Sequence, residues 1–158
     1  MDNSKKIISS YEALEKAKKF CAYSEKSQND VRLKLKSWDI DDSSSESIIS
    51  SLIEDKFINE ERFARAFSRG KFTIKHWGKN KIYHELKLHQ ISKKCIQMGL
   101  SEIDDYEYLE VLKKEIIKKN NLLSSSKNIR LKKIVTYLMG KGFESELCWQ
   151  YTKQILEL

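Results

Sequence analysis

The sequence predicts an all-α fold of three tandem three-helix repeats forming an elongated, curved molecule, and three observations carry that expectation. Apolar residues recur at shared offsets: Val31, Leu35 and Ile40 stand at 0, 4 and 9, as do Ile82, Leu86 and Ile91, and again Ile134, Leu138 and Phe143, with the units 51 and then 52 residues apart. Small helical units at a fixed period bury little apolar surface alone and lean on their neighbours in a row. The 158 residues include no Pro and 5 Gly, so little interrupts a helix. Finally, Ser, Asp or Asn precedes most of the apolar runs, often with an acid three residues on, which is the signature of a helix start.

The elements follow in order. Residues 1–9 read as a tail. Ser9 with Glu12 opens a helix over Ser10 to Tyr23 whose face carries Leu14, Ala17 and Cys21. Ser27 with Asp30 opens a second, with Val31 and Leu35 as its i, i+4 pair. Ser43 with Glu46 opens a third, with Ile48, Ile49, Leu52 and Ile53 as its stripe. Asn59 caps the next helix, Glu60 and Glu61 complement its positive end, and Phe63, Ala64 and Phe67 run along it to about Phe72. A loop at Trp77 and Gly78 leads to a short helix bearing Ile82 and Leu86. Ser92 then opens one that stops at Gly99. Asp104 with Glu107 begins a longer helix through Tyr108, Leu109, Leu112, Ile116 and Ile117, ending near Asn120 and Asn121. After a polar linker come Ile129, Ile134 and Leu138, with Gly140 and Gly142 as stops, and a last helix carries Leu147, Cys148, Tyr151 and Ile155. These elements group as a first repeat over 10–58, a second over 59–103 and a third over 104–158.

Charge is uneven along this frame. The formal net charge is +7, and residues 59–99, with ten basic residues against three acidic, account for all of it. From Arg62 to Lys94 the bases are interleaved with Phe63, Phe67, Phe72, Trp77 and Tyr83. Basic charge beside planar side chains suits a polyanion or an acidic protein surface, because the cations neutralise phosphates or carboxylates while the rings supply the non-ionic contact.

Other classes find little support. Cys21, Cys95 and Cys148 are far apart and have no histidine at ligand spacing, so neither a zinc site nor a disulfide framework is expected. No apolar run approaches the roughly 20 residues that span a bilayer, and the N-terminus lacks a signal-peptide core; a cytoplasmic protein is expected. There is no Walker loop and no GxSxG, and His84, Glu85 and His89 miss the spacing of HExxH. No catalytic residue, no metal and no cofactor is expected.

The middle stretch, FINEERFARAF followed by HWGKNKIYHELKLHQI, resembles the signature of the RecX regulatory proteins, in the positions Asn59, Arg62, Phe63 and Ala64, then Gly78, Ile82, Glu85, Leu86 and Ile91. The first unit is similar to the family's opening repeat at Ala13, Leu14, Ala17, Ser27, Leu33 and Leu35, and IVTYLMGKGF in the third agrees more loosely, so the resemblance covers roughly residues 11–156. Two departures stand out: lysine holds places where the family often has arginine, and Asp39 and Gln90 hold the place of a usual glycine. The resemblance implies all-helical three-helix repeats lying in the groove of the RecA recombinase filament on single-stranded DNA, and a non-enzymatic role that modulates, mostly inhibits, its ATPase, strand-exchange and co-protease activities. The implied partner is that filament; the residues themselves add an expected nonspecific affinity for single- and double-stranded DNA, and a monomer with no membrane is expected.

The candidate contact residues are Arg65, Arg69, Lys71, Lys75, Trp77, Lys79, Lys81 and Lys87 in the middle unit, and Lys127, Arg130, Lys132, Lys133 and Lys141 in the third. Like charges gathered in one unit repel, so stability is a poor reason for them. The alternative is a stand-alone helix-turn-helix-like DNA-binding protein or repressor, with Lys79 to Leu88 in the major groove. Against it, that segment is short of the Asn, Gln and Arg pairs that read base edges.

Overall fold

The structure, a computed structural model, describes residues 7–158; residues 1–6 of the expected tail lie outside the described residues. Among the described residues there are nine helices and no strand: α1 (Ser10–Tyr23), α2 (Gln28–Ser37), α3 (Asp42–Glu54), α4 (Glu60–Lys75), α5 (Lys79–Leu88), α6 (Lys93–Leu100), α7 (Asp105–Asn121), α8 (Lys127–Gly140) and α9 (Ser145–Leu156). Most begin where a short polar side chain accepts an orphan amide: Ser9 from Glu12, Ser27 from Asp30 in a full capping box, Asn59 from Arg62, Ser92 from Cys95 and Asp104 from Glu107.

The repeat is built into the backbone. In each unit the third residue of the apolar triplet donates to the carbonyl of the second, Ile40 to Leu35, Ile91 to Leu86 and Phe143 to Leu138, each at 3.1 Å. The residue just before it turns left-handed in every case, Asp39 at φ 58°, Gln90 at φ 61° and Gly142 at φ 96°. This is the position where only the third unit keeps a glycine. The first two units hold the same turn with side chains that fit it less easily.

Several expected details change. Helix α3 starts earlier, capped by Asp41, whose carboxylate accepts from the Ser44 amide; an acid suits that end better than Ser43 does. Helix α4 continues past Phe72 to Lys75. Gly99 is no stop but lies within α6, where an added Cβ would sit 2.6 Å from the Ala64 carbonyl oxygen, so its bareness lets α4 and α6 cross closely. Ile53, Ile117 and Ile129 are 42%, 48% and 50% exposed. Their neighbours Leu52, Ile116 and Leu131 take the inward positions instead.

Burial divides the three units unequally. One core joins Ala13, Ala17, Val31, Leu35, Ile49 and Leu52 within the first unit. A second runs continuously through the other two, from Phe63, Ile82 and Leu86 to Leu112, Ile134, Leu138 and Phe143.

Candidate partner-binding face

Trp77 is placed by the end of α4. His76 closes that helix in a left-handed turn (φ 54°), and the Trp77 amide folds back to donate to the Lys71 carbonyl at 3.1 Å. The indole therefore lies against Phe67, edge-on with ring centres 6.4 Å apart, and takes two ammonium groups: Lys71 Nζ is 4.9 Å and Lys81 Nζ 4.4 Å from the ring centre. Lys71 also stands 5.4 Å from the Phe67 ring. Cations over indole are held by the ring quadrupole, yet no carboxylate neutralises Lys71 or Lys81 among the described residues, so their charge stays available.

The remaining candidates fall into different situations. Lys75, Lys87, Lys127, Lys132 and Lys133 are exposed. Arg65 is committed internally, to Glu61, to Glu102 at 2.9 Å and to the Met98 carbonyl at 3.3 Å, tying α4 to the end of α6. Arg69 adds a second bond to Glu102 at 3.2 Å. Hydrogen bonds from Arg65 and then Arg69 hold the Glu102 carboxyl below the usual range. Lys79 reaches Asp105 at 3.3 Å and lies over Tyr108. Arg130 donates to the Asn120 side chain at 2.8 Å. Lys132 and Lys133 flank a 420 Å³ groove floored by Leu123 and Tyr137 with Lys119.

Lys141 belongs to a junction that composition did not reveal. Glu115, 3% exposed, accepts from Tyr137 Oη and pairs with His76 Nδ1, both at 2.7 Å, with Lys141 Nζ at 3.8 Å. Burial pushes this carboxyl up, but the bonds from His76 and Tyr137 and the charge of Lys141 outweigh it and hold it below its ordinary value. Beside it, the bare start of α5 is capped from the third unit: Gly78 N donates to Lys141 O at 2.8 Å, Lys79 N to Tyr108 Oη at 3.0 Å and Asn80 N to Gly142 O at 2.9 Å. Tyr108 in turn donates to Glu144 at 2.6 Å; burial and that bond raise its pKa well beyond the usual tyrosine value. The only sequence signal was an acid, Glu115, set between Leu112 and Ile116 on an otherwise apolar face.

The link between the first and second units is more polar. His89 Nδ1 is 3.2 Å from Ser27 Oγ and 3.3 Å from Asp30, and Arg62 binds Glu25 and the carbonyls of Lys56 and Phe57. No cluster of His, Cys, Asp and Glu able to hold a metal occurs among the described residues, and no described helix is long and apolar enough to cross a membrane.

Comparison with known proteins places this geometry. Residues 59–100 match the family model described as RecX, second three-helix domain, and residues 105–152 match RecX, third three-helix domain. A protein named regulatory protein RecX from Listeria monocytogenes (serotype 4a) is 28% identical over 137 residues, 85% of this chain and 50% of its own length. One of the same name from Prosthecochloris aestuarii is 26% identical over 144 residues, 91% of this chain and 93% of its own. The chain thus spans about half the length of most of these curated relatives and nearly all of the one from Prosthecochloris aestuarii. The crystal structure of RecX from Lactobacillus salivarius superposes with a TM-score of 0.80 at 22% identity, covering 94% of this chain and 97% of that one.

Proposed function

Because this chain belongs to the RecX family of regulatory proteins, we propose that it binds the RecA nucleoprotein filament and modulates, mostly inhibits, its ATPase, strand-exchange and co-protease activities, without catalysis of its own. The repeats over 10–58, 59–103 and 104–158 act as successive contacts along one groove, and several weak patches on one rigid body bind as a unit when their spacing matches. The protein works as a cytoplasmic monomer with accessory, nonspecific affinity for single- and double-stranded DNA.

The observation that carries this reading is Trp77 with Lys71 and Lys81 both over its ring, neither ammonium paired to a carboxylate among the described residues. Cations held on an aromatic face and left without counter-charge suit a partner lined with phosphates and carboxylates. Lys75, Lys87, Lys127, Lys132 and Lys133, exposed on the same two units, extend the field. Arg65, Lys79 and Lys141 contribute through position more than contact, since their heads are engaged inside the molecule.

The test is ATP hydrolysis by RecA on single-stranded DNA with this protein added below stoichiometric amounts. The rate falls if the reading holds. Unchanged hydrolysis together with tight, sequence-selective duplex binding would favour the repressor alternative.

A further inference from the structure

Helix α7 carries opposite charge at its two ends. Residues 104–110 hold four acids and no base, whereas residues 118–133, from the last turn of α7 into α8, hold six bases and no acid. Acids at a helix start and bases at its end suit the helix dipole, so α7 by itself accounts for Asp105, Glu107, Lys118 and Lys119. It does not account for α8. That helix opens with Lys127 and Arg130 at its own positive end, with no acid in its first turn and no side-chain cap, so cations there weaken the helix. Arg130 is held by Asn120, but Lys132 and Lys133 are exposed and meet no carboxylate among the described residues.

Each charged end adjoins an apolar opening. At the basic end, the 420 Å³ groove between α7 and α8 has Leu123 and Tyr137 as its floor and Lys119, Lys132 and Lys133 around it. At the acidic end, Tyr106 is 73% exposed and, with Glu107 and Glu110, borders a 430 Å³ cleft against Phe72 and Val111. Lys114 is the one base lining that cleft. Glu110 has Lys113 at 3.2 Å and Asp105 has Lys79 at 3.3 Å, while Glu107 has no basic partner among the described residues. An exposed aromatic side chain with carboxylates beside it is the complement of an apolar groove rimmed by ammonium groups. A phosphate backbone would satisfy the rim and leave the floor in water; an acid-flanked ring satisfies both.

We infer that this groove receives the Tyr106 ridge of a second copy of the chain, so that copies join head to tail. The Tyr106 ring covers Leu123 and Tyr137, and Glu107 and Glu110 meet Lys132 and Lys133. Glu110 and Lys119 are nine residues, or two and a half turns, apart and so lie on opposite sides of α7, with Tyr106 and Lys119 about 20 Å apart along its axis. Unlike patches on opposite sides leave one of each free on every pair, so the contact continues as a row instead of closing. One groove buries less surface than a stable pair needs, so the dilute chain stays a monomer and the contact acts where copies are crowded. The inference deepens the proposed function, because copies laid along one filament groove meet end to end. Its test uses no recombinase, so its failure leaves the RecA reading standing, and the reverse.

The experiment is sedimentation equilibrium of the full chain at low salt, from dilute solution to about 0.5 mM, a range suited to a contact of this size. The average mass rises past that of a pair with concentration and falls back as salt screens the charges. Two variants divide the contact: Tyr106→Ala/Glu107→Gln removes the ridge, and Lys132→Glu/Lys133→Glu reverses the groove rim. All four positions are exposed, and both variants keep a helical circular dichroism spectrum. Each alone associates at least tenfold more weakly. An equal mixture of the two restores association but stops at the pair, because the intact groove and the intact ridge then sit on different copies. An unaltered chain that stays a monomer throughout or stops at the pair, or a mixture no more associated than either variant alone, would overturn the inference. So would a Lys132→Glu/Lys133→Glu chain that associates as before and loses affinity for oligo(dT), which would make the rim a phosphate site.

Discussion

Gln90 holds a left-handed backbone at φ 61°, a conformation that costs a residue with a Cβ roughly 1–2 kcal/mol. Glycine relieves that strain but loses more freedom on folding, by roughly 0.5–1 kcal/mol. Gln90→Gly is therefore expected to stabilise by about 0.5–1 kcal/mol, raising the melting temperature by about 2 °C; a drop would mean that the side chain supports the turn. Glu115 is the opposite case, a buried charge whose partners converge on it. Removing one member of such a set strands the others, so Glu115→Ala is expected to cost about 3 kcal/mol in denaturant unfolding. Because its folded pKa is lowered, the stability it supplies is fully present above the unfolded carboxyl value of about 4.3 and is lost as pH falls through the lower folded value. Glu115→Gln should flatten that acid limb of the stability curve, measured by urea unfolding from pH 6 to pH 3.

Helices, unlike these residues, were largely legible beforehand. Ser9, Ser27, Asn59, Ser92 and Asp104 marked starts correctly because a cap is a local hydrogen bond, while Ser43 did not because Asp41 two residues earlier competes for the same end; the triplets Val31/Leu35/Ile40 and Ile82/Leu86/Ile91 announced burial by spacing alone. What could not be read is where helices meet. Gly99 resembled a stop and proved to be a crossing point, because the distinction depends on Ala64, far away in sequence. Arg65 and Lys79 resembled free cations because Glu102 and Asp105 come near them only through folding. Gly78 and Gly142 joined the second and third units without a sequence signal beyond their identity as glycines. An alanine Cβ at position 78 would sit 2.2 Å from the Gly142 carbonyl carbon, and backbone on both sides leaves little to move. Gly78→Ala is expected to cost about 3 kcal/mol, with faster amide exchange at Ile82 and Leu138 and none of the change at Val31 or Leu35. Equal loosening of the first unit would show that the units are coupled more tightly than their cores suggest.

At the scale of the molecule, two cores imply two cooperative bodies. The first unit closes on itself, while the second and third share apolar residues, the Phe72, Tyr108 and Phe143 rings and a buried carboxylate. Amide exchange under native conditions should therefore show protection rising and falling together across residues 60–156, separately from residues 10–58; a single exchange class across all residues would argue for one body.

The lysines around Trp77 serve a polyanionic partner if the proposed function holds. Its sharpest test is the Lys71→Glu/Lys75→Glu/Lys81→Glu variant, assayed for inhibition of RecA-catalysed ATP hydrolysis on single-stranded DNA beside its circular dichroism spectrum. The predicted result is a helical spectrum like that of the unaltered chain with inhibition weakened at least tenfold. A variant that inhibits as well as the unaltered chain, or one that loses its helical spectrum, would contradict it.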